Sequence, residues 1–152
     1  MNPSTPKGRS SSTHVTALYD QDFYRWTLET AAALRSGRLA EVDLEHAAEE
    51  IEDMGKRDMR AVVSRLQRIL EHKLKLELTE GQIFEFNERK WRHTIVQQQI
   101  QLAQILEDSP SLKARLPQLL PKAYSLAARA LENGYDIPAP AKCLWTIEQI
   151  LG

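Results

Sequence analysis

The chain predicts an all-α fold: a helical bundle of four main helices plus a short C-terminal helix, with one long helix running through Gly55. Three observations lead there. Apolar residues recur at spacings of three and four, and β-branched alternation is absent. The runs are separated by residues that end or start helices, at Ser36–Gly37, Ser109–Pro110, Asn133–Gly134 and Thr146. A single apolar face also keeps its phase from Leu44 to Leu76, which two independent helices would have no reason to do.

The first helix is read from about Asp20 to Ser36, with Phe23, Trp26, Ala31 and Leu34 on its apolar side and Tyr19 just before it. The second starts at Asp43, a good N-cap, and runs to about Leu78. Its face is Leu44, Ala47, Ile51, Gly55, Met59, Val62, Leu66, Ile69, Lys73 and Leu76. Gly55 costs about 1 kcal/mol against alanine inside a helix. Its place on the apolar face suggests a close approach by another helix. "TEGQIFEFNERK" reads as a loop, and the third helix spans about Glu88 to Glu107, with Trp91, Ile95, Leu102, Ile105 and Leu106 inward. "SLKARL" gives a short turn after Pro110. The fourth helix starts at Pro117 and stops at Asn133–Gly134. "YDIPAPAK" is an extended linker. Thr146 and Gln149 form a capping box on the final helix, with Trp145 and Ile150 as its hydrophobic staple.

Length and composition set bounds. A chain of 152 residues fits a single domain, here 17–152, after an N-terminal tail over 1–16 that is too polar to order itself. Apolar residues make up 42% and charged ones 27%, enough for a core without disulfides. Twenty basic against 21 acidic side chains leave a net charge of -1, with no global pull toward nucleic acid or anionic lipid. The one cysteine, Cys143, rules out an internal disulfide framework and a multi-cysteine metal site, and suits a reducing cytoplasm. No apolar run has the length of a signal peptide or a membrane span, so the expectation is a cytoplasmic protein without a membrane partner.

The densest chemistry is "DLEHAAEEIEDMG", Asp43 to Gly55. On the helix wheel Glu45, Glu49 and Glu52 flank the apolar face, while His46, Glu50, Asp53 and Arg57 lie on the outer side. A carboxylate site in a bundle needs inward ligands from several helices, typically with Glu-x-x-His pairs, and no such pair occurs. The functional reading is a polar cluster of Glu49, Glu52, Asp53, His72, Arg92, His93 and Gln98. The plainer one is a solvated face whose inner carboxylates are matched by Arg25 and Arg92. Gln98 sits in the middle of the third helix's apolar arc, so it must find a hydrogen-bond partner such as Glu49 or a carbonyl near Gly55. Arg57, Arg65, Arg68, His72 and Lys75 share one side of the long helix. Glu71 interrupts them and no aromatic is interleaved, so a solvated basic face is favoured over phosphate contacts. Cys143 has only Lys142 beside it to lower its pKa, which points to an inert thiol. No phosphate loop, metalloprotease motif or nucleophile elbow occurs.

"LYDQDFYRWTLETAAALRSGR" (Leu18–Arg38), "LEHAAEEIEDMGKRDMRAVVSRLQRILEHKLK" (Leu44–Lys75), "WRHTIVQQQI" (Trp91–Ile100), "DSPSL" (Asp108–Leu112) and "WTIEQIL" (Trp145–Leu151) follow one another in order. Together they resemble the bacterial family known as domain of unknown function 29, over nearly everything after the tail. Leu76 stands where that family usually has tryptophan. Cys143 is followed by Leu144 where the family often reads "CPW". The resemblance implies a compact, mainly helical bacterial domain and no established activity, so no catalytic residue follows from it.

The sequence therefore predicts a helical protein-interaction domain without enzymatic activity, with no cofactor and no metal. It binds a protein partner or itself through exposed Tyr19, Tyr24 and Trp26. The alternatives are a metal-binding or hydrolytic bundle using the acidic cluster with His72 and His93, and nucleic-acid binding along the basic side of the long helix.

Overall fold

The structure is a computed structural model that describes residues 17–152. The predicted tail, 1–16, lies outside the described residues. The fold is all-α: α1 over residues 17–21, α2 Phe23–Arg35, a 3-10 turn Leu39–Glu41, α3 Leu44–Leu78, α4 Gly81–Asp108, α5 Pro110–Ala114, α6 Leu116–Tyr135 and α7 Ile147–Leu151. Four helices are long, α2, α3, α4 and α6, and α7 is the short C-terminal one. The long helix runs through Gly55 unbroken. The described residues divide into two compact units, one up to Lys56 and the other Arg57–Gly152, and the division falls within α3.

In the first unit the predicted helix from Asp20 is split. Asp22 adopts a non-helical backbone and accepts a hydrogen bond from the Arg25 N–H at 3.0 Å, so it caps α2 instead of continuing it. The end of α2 is a Schellman motif. Gly37 takes φ +70°, its N–H donates to the Leu34 carbonyl, and the Arg38 N–H donates to Ala33. Asp43 caps α3 as expected, its Oδ1 accepting from the His46 N–H at 3.2 Å. Leu18, Trp26, Ala33 and Val42 are buried here.

The second unit is built around one core. α3 supplies Val62, Val63, Leu66, Ile69, Leu70 and Leu74, and α4 supplies Ile95, Leu102 and Leu106. Leu112, Leu116, Ala123, Tyr124, Ala127, Leu131 and Ile150 complete it from α5, α6 and α7. The capping box of α7 is formed in both directions, Gln149 N–H to Thr146 Oγ1 and Thr146 N–H to Gln149 Oε1. Gln99 Nε2 donates to the Ile150 carbonyl at 2.9 Å, which ties α7 to α4.

Three further readings are corrected. The predicted loop over 79–87 is mostly helix, because α4 begins at Gly81. Gly81 takes φ +62°, open to glycine at no steric cost, and this lets α4 start only two residues after α3 ends. Good helix formers then follow at Gln82, Glu85, Glu88 and Arg89. Phe84, seven residues before Trp91, keeps the buried phase. Ile83 and Phe86 are strongly exposed and blur the stripe. α6 runs one residue past Gly134 to Tyr135, because Asp136, at φ 54°, takes the left-handed cap. Gly55, expected to admit a close neighbour, has none among the described residues: a Cβ built there meets none of them within 4 Å.

Candidate functional site

The candidate residues are divided between the units, with Glu49, Glu52 and Asp53 in the first and His72, Arg92, His93 and Gln98 in the second. In the first unit α3 turns the opposite way from the sequence reading. Leu44 and Ile51, expected inward, are 61% and 63% exposed. Glu45, Glu49 and Glu52 are exposed too, while His46 and Glu50, placed on the outer side, are half-buried. The cause is Tyr19. Its ring stacks on the His46 imidazole at 4.0 Å between centroids, and its hydroxyl donates to Glu50 Oε1 at 2.7 Å. His46 Nδ1 meets Asp43 Oδ2 at 2.8 Å. Tyr19 also packs edge-on against Phe23 and Trp26.

This latch fixes two ionisations. The hydrogen bond to the Glu50 carboxylate, helped by burial and by nearby negative charge, pushes the Tyr19 phenol up to about 12. The Asp43 carboxylate raises His46 above the ordinary histidine value, against a smaller opposing effect of burial. A phenol held protonated and an imidazole stacked on its ring orient each other and the start of α3. Trp26, expected to be an exposed contact, is 3% exposed, whereas Tyr24 is 74% exposed and Tyr19 half-buried. Arg25 pairs with Glu29 at 2.7 Å instead of the α3 carboxylates, and Asp53 pairs with Lys56 at 3.1 Å.

In the second unit Gln98 is buried, and its Oε1 accepts from Arg65 Nη1 at 3.0 Å. That is the structural polar contact its position demanded, with a partner other than the two expected. Arg65 Nε is buried without a protein partner. The predicted solvated basic face is overturned for three members. Arg65 is engaged by Gln98, and His72 and Lys75 are buried. Lys75 Nζ lies 2.6 Å from Glu71 Oε1 and 5.0 Å from the Tyr135 ring centre, so α6 covers this side of α3. A charge this deep persists only when paired and hydrogen-bonded, and here it is. His72 bonds the Arg68 carbonyl through Nδ1 at 2.8 Å, yet burial still lowers its pKa. His93 is exposed, and exposed Arg92 pairs with Glu88 at 2.9 Å instead of an α3 carboxylate.

Two of this unit's surface grooves hold groups with displaced pKa values. One, about 430 Å³, is lined by Lys73, Leu76, Glu77, Arg92, Ile95, Val96 and Trp145. Lys73 Nζ stands 5.3 Å from the centre of the Trp145 ring, and burial lowers its pKa. The other, about 630 Å³, lies between α6 and the 139–143 linker and contains Cys143. There Tyr124 donates to the Pro140 carbonyl at 2.7 Å, and burial raises its pKa. Cys143 is half-buried, 3.5 Å from the Trp145 carbonyl. Among the described residues no group of three or more His, Cys, Asp or Glu side chains is placed to hold a metal ion. Among the same residues no helix is long and apolar enough to cross a membrane.

Sequence reasoning missed the Tyr19–His46–Glu50 contacts, which join residues about thirty apart. The one available signal was that Tyr19 is an aromatic residue standing just before a helix with no apolar partner of its own. The model of the family described as Domain of unknown function DUF29 matches residues 18–152. No curated protein and no solved structure matches the chain.

Proposed function

We propose that this chain, which belongs to the Domain of unknown function DUF29 family, is a helical protein-interaction domain that acts by binding and not by catalysis. One observation carries the reading. Among its described residues the first unit strongly exposes Tyr24, Leu28, Leu39, Leu44, Ile51 and Met54, besides Phe23 and Leu34. The second unit is more than twice as long in described residues, and it exposes only Ile83, Phe86, Val96, Ile100 and Leu144 to that degree. Apolar surface gathered in so short a stretch is the mark of a surface that gets covered. Tyr24 and the exposed side chains of α3 serve as the contacts, while buried Trp26 packs against Tyr19 and Phe23. The setting is a bacterial cytoplasm, supported by the single free thiol of Cys143.

Site-specific photo-cross-linking in cells tests this. A photoreactive residue at Tyr24 or Ile51 should give a discrete adduct with a protein, and the same residue at exposed Arg129 should not. Equal or absent labelling at all three positions would end the reading.

A further inference from the structure

We infer that the groove holding Lys73 and Trp145 binds a small carboxylic acid, its carboxylate on the Lys73 ammonium and its apolar body against Leu76, Ile95 and Val96. The site lies in the second unit alone and is independent of the contact surface proposed above. A lysine stands where the helix pattern calls for an apolar residue. Lys73 falls on the stripe of α3 between Ile69 and Leu76, where a leucine or methionine would pack without desolvating a charge. Its side chain is half-buried, and its ammonium stands 5.3 Å from the centre of the Trp145 ring. Burial disfavours the charge and lowers its pKa.

Lys75, two residues on, shows what such a charge needs. Its ammonium also stands over a ring, 5.0 Å from the centre of Tyr135, and it has in addition the Glu71 carboxylate at 2.6 Å. Lys73 has the ring without the carboxylate. Among the described residues its ammonium makes no hydrogen bond and no ion pair. Residues 1–16 contain no aspartate or glutamate that could supply one. Glu77 lines the same groove one turn further on, yet it stays exposed and forms no pair with Lys73. The remaining N–H donors of Lys73 open onto the groove, since Lys73 is part of its wall. A carboxylate bound there repeats the arrangement at Lys75. The groove measures about 430 Å³, a size that suits a small molecule. Leu76, Ile95 and Val96 supply apolar wall, and Val96 is 53% exposed, surface that the body of the acid covers. Arg92 adds a second cation, already paired with Glu88 at 2.9 Å. One open positive charge selects a singly charged acid over a phosphate, because Glu77 on the same wall repels a second negative charge.

Calorimetric titration of the full chain at neutral pH tests the assignment, with hydrocinnamate and octanoate as probes and the uncharged amide of each as its control. At least one acid should bind saturably to wild type, and its amide should bind roughly tenfold or more weakly. Lys73→Met keeps the length of the stem and removes the charge. It should weaken the acid by roughly tenfold or more and erase its advantage over the amide. Leu76→Trp fills the groove and leaves the charge in place, so it should weaken acid and amide alike. The comparison of acid with amide is made on wild type and holds whatever the stability of the variants. Equal affinity for acid and amide, or no binding of either acid, would overturn the inference. So would an acid preference that survives Lys73→Met, or binding that Leu76→Trp leaves unchanged.

Discussion

The two ends of α3 carry the same pattern and meet different fates. From Val62 to Leu74 its apolar residues vanish into the core, with Val62, Ile69, Leu70 and Leu74 all at 0% exposure. From Leu44 to Met54 the same helix leaves Leu44, Ile51 and Met54 more than half exposed. Periodicity dictates that a helix forms and where its apolar face lies. It does not dictate that the face is covered, because the cover comes from other elements: α4, α6 and α7 in the second unit. In the first, Tyr19 draws the His46–Glu50 side inward instead.

The sharpest way to break this comparison is to truncate both ends alike. Leu70→Ala should cost about 2–5 kcal/mol in denaturant unfolding of the second unit, since it opens a cavity in a closed core. Ile51→Ala should change stability by less than about 0.5 kcal/mol at concentrations where the chain is monomeric. Equal losses at both sites would mean that the exposed end is packed as tightly as the core.

A second contrast lies within the core. Gln98→Ala removes the acceptor of Arg65 and leaves a buried guanidinium with one partner fewer, at a cost of about 1–3 kcal/mol. The double change Gln98→Leu with Arg65→Met removes both polar groups together and should recover most of that loss. A double variant no more stable than Gln98→Ala would show that the pair contributes more than mutual satisfaction.

What the sequence revealed divides along the same line. The long helix, its passage through Gly55 and the inward set Val62, Leu66, Ile69, Trp91, Ile95 and Leu102 all follow from local period, and all are present. The capping box at Thr146 is a four-residue signal and is equally legible. The start of α4 was legible only through Phe84, whose phase is masked by two exposed apolar neighbours. Lys75 lies against Tyr135, sixty residues away, and the partner of Gln98 lies thirty-three residues away. No local pattern encodes such pairs. The candidate site was therefore visible as a set of residues but not as contacts.

Gly55→Ala is a smaller test of the exposed end. The glycine sits inside a regular helix with open space where a Cβ would go, so alanine should stabilise α3 by about 0.5–1 kcal/mol in dilute, monomeric protein. Destabilisation under those conditions would restore the close helix neighbour that the apolar position first suggested.

The smallest effect is the most telling about the two units, because its sign differs between them. His46 has a raised pKa in the folded chain, held up by Asp43. Its contribution to the first unit is fully present below the unfolded histidine value near 6.5 and fades as pH rises through the folded value. His72 has a lowered pKa, because burial disfavours its charged form. Its neutral form suits the second unit above about 6.5, and that stability is lost as pH falls from there toward the folded value. Acidification through the histidine range should therefore steady the start of α3 and loosen its far end. Hydrogen exchange, which reads each amide separately, can follow both along one helix. Protection near His46 should rise toward lower pH while protection near His72 falls. His46→Gln and His72→Gln should each flatten only the response of its own end. Parallel trends at both ends would mean that the two imidazoles sit in environments of the same kind, which the Asp43 contact of one and the burial of the other do not allow.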